Sequence, residues 1–369
     1  MLNLTISFIV SFLATMLIVR LANRNSAAAD HDLDGVQKFH VRPVPRVGGI
    51  GIVAACCMAV AALTSRDLPL AIDLGLLLAC SAVVFGIGLA EDFTKRISPT
   101  VRLLCALVGG ALATLALHAT VVRLDLPYVD DWLAIPLVAA IVAVLCVAAL
   151  VNAVNIIDGF NGLASAAAMT MFASLGYVAF KVGDPLVLGG ALIMIGAILG
   201  FLVWNYPYGL IFLGDGGAYF LGFMLAELGI LLVARNPSVS AWYPALLFIY
   251  PIFETLFSIY RKKYLRGMSP SMPDGVHLHM LIYKRVIRWA IGTHNARLLT
   301  QRNAVTSPYL WALALLAIVP ATVFWDHGAV LMVFLALFVA VYTWLYTAIV
   351  RFRTPRWLVL HRAKEETHP

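Results

Sequence analysis

Apolar residues fall in long unbroken runs, at about residues 3–20, 48–64, 70–90, 103–122, 132–151, 162–180, 185–203, 216–234, 241–259, 308–325 and 328–350. Each is close to the roughly 20 residues that a helix needs to cross a hydrocarbon core. The runs are continuous rather than alternating, which excludes membrane-spanning strands. The pattern therefore predicts an all-α polytopic membrane protein of about eleven transmembrane helices. The first charge, Arg20, follows the first run, and no basic stretch precedes it. That run is expected to be an uncleaved span rather than a signal peptide.

Composition agrees with this reading. The 369 residues are 62% apolar and 12% charged, about half the usual charged share of soluble proteins. A soluble globular enzyme, a disordered chain and a disulfide scaffold are all excluded. The five cysteines lie inside apolar runs and read as small hydrophobes rather than a metal site. The net charge of +7 is a matter of topology, not of nucleic acid. With the N-terminus outside, one set of loops holds 22 of the basic residues and the opposite set only Arg66, Arg123, Lys181 and Arg235. The positive-inside rule then makes the N-terminus periplasmic and the C-terminus cytoplasmic, in a bacterial inner membrane. Residues 1–350 read as one transmembrane catalytic domain. The hydrophilic stretch 261–307 reads as a loop with some helical periodicity, and 351–369 as a basic cytoplasmic tail resting on anionic lipid.

Polar residues with chemical character collect on that basic side. They are Lys38-Phe-His40-x-Arg42-Pro43-x-Pro45-Arg46-x-Gly48-Gly49, the pair Glu91-Asp92 with Lys95, Arg96 and Arg102, and Asn152-x-x-Asn155-x-x-Asp158-Gly159-x-Asn161-Gly162. Two more follow, Gly214-Asp215-Gly216-Gly217 and Asp274-Gly275-x-His277-x-His279. Each alone has a structural reading as a helix start, a solvated helix end, a turn or a surface pair. Together, on one face, they describe a site. Carboxylate and amide oxygens suit Mg²⁺ or Mn²⁺, whose shell substrate phosphates complete. Lys, Arg, His and glycine-rich backbone suit phosphate oxygens. The combination points to metal-assisted phosphoryl transfer at a membrane surface. Neither an ATPase P-loop nor a dinucleotide fingerprint is present in the sequence.

Three carboxylates fall within spans. Asp73 is near an outer end, Glu227 near mid-membrane and Glu254 nearer the inner end. Buried acids in a bilayer are costly and are functional candidates. For Glu227 a protonated helix-packing role is the simpler reading, and Glu254 stays open.

The segments KFHVRPVPRVGGIGI, GLAEDFTKRIS, NAVNIIDGFNGLA and FLGDGGAYFLGF, with the later HLH, resemble the polyprenyl-phosphate N-acetylhexosamine-1-phosphate transferases of the MraY/WecA superfamily, nearer the WecA branch. The likeness covers residues 38–280 in order. It implies transfer of a sugar 1-phosphate from a UDP-N-acetylhexosamine to undecaprenyl phosphate, starting O-antigen or another envelope polysaccharide. It also implies that Asp215 and Asn155 hold Mg²⁺, for which Mn²⁺ can substitute. Asp92 with Glu91 would lie at the lipid phosphate, and Lys38, Arg102, His277 and His279 would bind phosphates. Asp158 and Asn161 would line the nucleotide side, with His40 and Arg46 in the substrate-binding set. A homodimer is admitted but not required.

Three departures stand out. Glu91 replaces an Asp, Asn161 replaces a second acid, and Gly275 and Met280 stand where the family usually has Arg and His. Thinner diphosphate contacts, or replacement by Lys284 or Arg285, are expected. The sugar, GlcNAc, GalNAc, FucNAc or QuiNAc, stays open. A transporter is the main rival class. It would place its ionisable groups at the midplane, whereas these lie at helix ends.

Overall fold

The computed structural model describes residues 1–24, 44–267, 275–287 and 296–353, without the side chains of 23, 24 and 296–298. Lys38, His40 and nearly all of the basic tail lie outside the described residues. The helices are α1 (Leu2–Arg24), α2 (Gly48–Leu63), α3 (Leu68–Thr94), α4 (Pro99–Leu117), the short α5 (Val129–Leu133), α6 (Pro136–Ile157) and α7 (Leu163–Val182). They continue with α8 (Pro185–Asn205), α9 (Gly214–Arg235), α10 (Trp242–Leu247), α11 (Ile249–Tyr260), the one-turn α12 (Leu278–Leu281), α13 (Ala296–Val323) and α14 (Gly328–Val350). Among the described residues nine helices are long and apolar enough to cross a membrane. The shorter α2 and the pair α10–α11, which share Phe248 as their junction, account for the other two predicted runs. The protein is thus an all-α, multi-pass membrane protein.

Local chemistry sets the helix starts. Asp67 caps α3 by accepting from Leu70 N, Ser98 caps α4 by accepting from Val101 N, and Asp184 caps α8 by accepting from Leu186 N and Val187 N. Each satisfies amides that the first turn leaves unpaired. Proline occupies the first turn of α3, α4, α6 and α8, where its missing N–H costs nothing.

α9 is the axial helix, packed by α2, α3, α6, α7 and α8. Glycines let it be approached so closely. A β-carbon on Gly88 of α3 would meet Gly216 Cα at 2.6 Å, and one on Gly49 of α2 would meet Gly217 Cα at 2.5 Å. Lipid offers no hydrophobic drive between helices, so small residues at crossings and tight packing supply the association. The crossings also bring the ends of α2 and α3 onto the N-terminus of α9.

The stretch 261–307 holds more structure than its hydropathy suggests. Wide π-type turns run over Arg261–Leu265 and Ile282–Ile287, and α13 begins twelve residues before its apolar run. That extension is polar, yet Arg302, Asn303, Thr306 and Ser307 are buried. Their side chains are satisfied internally: Arg302 donates to Tyr283 O, Asn303 Oδ1 accepts from Asn161 N, and Ser307 Oγ donates to Asn161 O. Buried polar groups need such partners, and hydropathy cannot foresee them.

Candidate active site

Asp215 is the centre of the site. It lies in the first turn of α9, after Gly214, whose φ of +78° suits glycine and whose missing side chain leaves room for the Arg46 carbonyl and Asp92. The 45–49 segment pairs with the chain entering α9: Phe212 N donates to Pro45 O, Gly48 N to Phe212 O and Gly49 N to Leu213 O. This pairing brings Arg46 beside Asp215, with its guanidinium 3.9 Å from Oδ1. Arg102, from the first turn of α4, donates to Asp215 Oδ2 at 2.8 Å. Asn155, from the last turn of α6, donates to Oδ1 at 3.1 Å.

Asp92 and Glu91 are adjacent but do different things. Asp92 Oδ1 accepts from Asp215 N at 2.9 Å and Oδ2 from Gly216 N at 3.0 Å. Its carboxylate thus clamps the start of α9 through two charge-assisted bonds. Glu91 turns the other way. Its Oε2 accepts from Ile97 N at 2.7 Å, bracing the α3–α4 turn, and its Oε1 lies 4.0 Å from Arg102. Adjacent helical residues diverge by about 100°, which is why the pair splits.

A cavity of about 290 Å³ opens beside Asp215. Arg46, Asn155, Asp158, His277 and His279 form its polar lining, and Ile156, Phe160, Phe212 and Met280 are among its apolar walls. Asp158, just past the end of α6, has its carboxyl pushed up to about 7. Burial is the main cause; Arg46 pulls the other way, and Asp215 and Asp92 add to the rise. His277 and His279 stack with parallel rings 5.3 Å apart. His277 Nδ1 lies 2.9 Å from Glu254 Oε1, while His279 packs edge-on against Phe160. Burial holds His279, on α12 beyond the spans, down to about 3 despite the nearby Glu254 carboxylate.

Comparison with known proteins identifies the family. A model of glycosyl transferase family 4 matches residues 74–233, a stretch holding Glu91, Asp92, Arg102, Asn155, Asp158, Asn161 and Asp215. The decaprenyl-phosphate N-acetylglucosaminephosphotransferase of Mycobacterium tuberculosis is 31% identical, over 73% of this chain and 72% of its own. The chain belongs to glycosyl transferase family 4. A probable undecaprenyl-phosphate N-acetylglucosaminyl 1-phosphate transferase of Bacillus subtilis is 29% identical over 76% of this chain and 77% of its own. The undecaprenyl-phosphate alpha-N-acetylglucosaminyl 1-phosphate transferase of Yersinia pestis is 28% identical over 69% of each chain. The protein is a phosphoglycosyltransferase of the MraY/WecA superfamily.

In this family 4 transferase the structure gathers Arg46, Glu91, Asp92, Arg102, Asn155, Asp158, Asp215, His277 and His279 at one end of the bundle. Asn161 stands apart from them. It is buried, its Nδ2 donates to Pro207 O and its side chain packs on Gly209. It braces a turn instead of lining the cavity, because its amide, unlike a carboxylate, offers a donor that a backbone carbonyl can use. Neither Lys284 nor Arg285 lines this cavity. Lys284 donates to Gly275 O, and Arg285 donates to Ile349 O and Val350 O at the end of α14. The last carbonyls of a helix attract such cations. Asn205, Phe160 and Asn303 line the cavity without having been singled out by sequence. Asn205, at the end of the α8 run and in front of a proline, carried the one usable signal, a polar residue on the site face.

Oxygen donors for a divalent cation are available. Asp215 and Asn155 touch, and turning the Asn155 amide by a half-turn leaves its shape unchanged while presenting its oxygen. Among the described residues no group of three or more His, Cys, Asp or Glu could hold a metal. Two protein ligands completed by phosphates are the usual arrangement for Mg²⁺, so the residues present fit it.

Proposed function

We propose that the protein transfers N-acetylglucosamine 1-phosphate from UDP-N-acetylglucosamine to undecaprenyl phosphate, on the cytoplasmic side of a bacterial inner membrane. We read this as the first step of O-antigen or another envelope polysaccharide. The observation that carries the reading is the single cavity that joins Asp215, Asn155 and Asp158 to Arg46, His277 and His279. The names of the relatives support the substrate pair. A lipid-borne acceptor is favoured by the apolar surface next to the site, where Phe93, Val101, Leu103 and Leu104 are exposed.

In this reaction an oxygen of the lipid phosphate attacks the β-phosphorus of the nucleotide sugar. The bond from that phosphorus to the bridging oxygen breaks, and UMP leaves. Asp215 and Asn155 would hold Mg²⁺, or Mn²⁺ in its place, and the bound cation neutralises charge on the donor diphosphate. Arg46 and Arg102 reduce repulsion between the two anionic substrates. Asp92 fixes the Asp215 and Gly216 amides and so keeps the Asp215 carboxylate aimed. A phosphate monoester is already mostly dianionic at neutral pH, with a second pKa of about 6, so the acceptor needs no base. Asp92 therefore acts here by positioning.

The test is incubation of purified protein with undecaprenyl phosphate and a panel of UDP-sugars, scoring UMP. UMP release with UDP-N-acetylglucosamine and metal, lost on chelation and in Asp215→Asn, is expected. Release that depends on another sugar, or that survives chelation, would falsify the corresponding part of the reading.

A further inference from the structure

We infer that Glu254 is a positioning residue for His277, holding Nδ1 of the ring and thereby fixing which ring nitrogen faces the cavity. The inference rests on the cavity being the nucleotide-sugar site.

Glu254 comes from α11 and is fully buried. Three groups from two elements, α12 with its N-cap and α14, converge on its carboxyl. Oε1 lies 2.9 Å from His277 Nδ1 and accepts from Leu278 N at 3.2 Å, and Oε2 accepts from Tyr342 Oη of α14 at 2.6 Å. A carboxylate acceptor at this place pairs with the tautomer protonated on Nδ1, which leaves Nε2 to meet whatever enters the cavity that His277 lines.

His279 differs in each respect. Its Nδ1 has no hydrogen-bond partner among the described residues, and its ring abuts Gly159 and Phe160. The carboxylate thus holds His277, and His279 is its stacking partner, with parallel rings 5.3 Å apart. The other titratable or charged groups facing this assembly are Tyr250 and Arg261 from α11 and its continuation, and Tyr346 from α14. Across the cavity they are Arg46, Asp158 and Asp215.

The experiment compares Glu254→Gln with wild type by steady-state kinetics on UDP-N-acetylglucosamine from pH 6 to 9. Glutamine keeps the size and loses the charge. The expected result is a rise in KM, with kcat/KM about tenfold lower and kcat little changed. Glu254→Asp should recover part of the loss, and Tyr342→Phe should raise KM in the same direction by less. In a His277→Gln background, Glu254→Gln should add little further loss. A loss in kcat alone, or full additivity with His277→Gln, overturns the inference and leaves Glu254 a packing residue. Should Glu254→Gln not accumulate, wild-type KM values in both Glu254→Asp and Tyr342→Phe overturn it equally. A wild type inert toward every UDP-sugar sinks the functional reading and this inference with it, whereas an active wild type with unshifted variants sinks the inference alone.

Discussion

Asp92 commits both oxygens to backbone amides, and this decides what its loss would do. In Asp92→Asn one oxygen can still accept, but the amide NH₂ faces the second N–H of the pair formed by Asp215 and Gly216. A buried donor left unmatched costs about 1–3 kcal/mol, and the clamp also loses its charge. A fall in kcat on the order of 100-fold is expected, with no recovery as pH is raised from 8 to 9, since the defect is one of geometry. Easing of the defect at high pH would instead identify Asp92 as a base. Glu91→Gln keeps a carbonyl oxygen for Ile97 N, so a loss under about threefold is expected in the same assay. His279 supports a stability prediction of definite sign. Its folded value of about 3 lies below the ordinary value of about 6.5. Below pH 6.5 the unfolded segment takes up a proton that the folded one refuses, so this contribution is constant above that pH and is lost as pH falls toward 3. At pH 5 the cost is on the order of 2 kcal/mol. Asp158, raised to about 7, works in the opposite direction, so the measurement is the difference between wild type and His279→Gln in detergent melting at pH 7.5 and 5. Wild type should lose more stability than the variant on acidification. An identical loss would remove His279 as the cause.

At the scale of helices the crossings of α9 make a sharper test than any single ligand. A β-carbon on Gly88 would meet Gly216 Cα at 2.6 Å and Asp215 C at 2.7 Å. These are backbone atoms, so α3 or α9 must shift. Gly88→Ala should cut activity by about 100-fold or more, since displacements near 1 Å are that costly to aligned reactants. Gly86, two residues away, has open space around a β-carbon. Gly86→Ala should leave turnover unchanged and add up to about 1 kcal/mol of helix stability. Equal activity of the two variants would show that the crossing does not aim Asp215. The same elements show what sequence could convey. The run over 216–234 and the Gly-Asp-Gly-Gly at its start were legible as a span with an acidic residue at its closely packed end, because apolar length and glycine are local signals. The bond from Asp92 to the 215–216 amides was not legible. It depends on where two helices cross, more than 120 positions apart in sequence. The polar start of α13 was missed because Arg302 and Ser307 are satisfied by groups remote in sequence. Glu254 stayed open for the same reason, since its partners His277 and Tyr342 lie 23 and 88 positions away.

Across the whole molecule the described helices sort their ends into two sets. The site residues lie at the end of α3, the starts of α4 and α9 and the end of α6. At the other end Arg123 donates to Pro237 O, Asp125 accepts from Ala241 N, and Arg235 pairs with Asp184. That second end has carboxylates and cations too, but they hold backbone groups of neighbouring loops together. The basic excess belongs to the site end, as Lys95, Arg96 and Arg102 beside it illustrate. That charge bias is the ground for proposing that the site faces the cytoplasm. Orientation is measured directly by single cysteines at Lys95 and Asp130, on opposite ends. The native Cys57 and Cys146, exposed on the bundle surface, should be replaced first. A membrane-impermeant maleimide applied to intact spheroplasts should label the cysteine at 130, and should reach the one at 95 only after lysis. Labelling of position 95 from outside would invert the protein. The active site would then face a compartment without its nucleotide donor, and the acceptor-plus-UDP-sugar reading would fail even with every distance in the site unchanged.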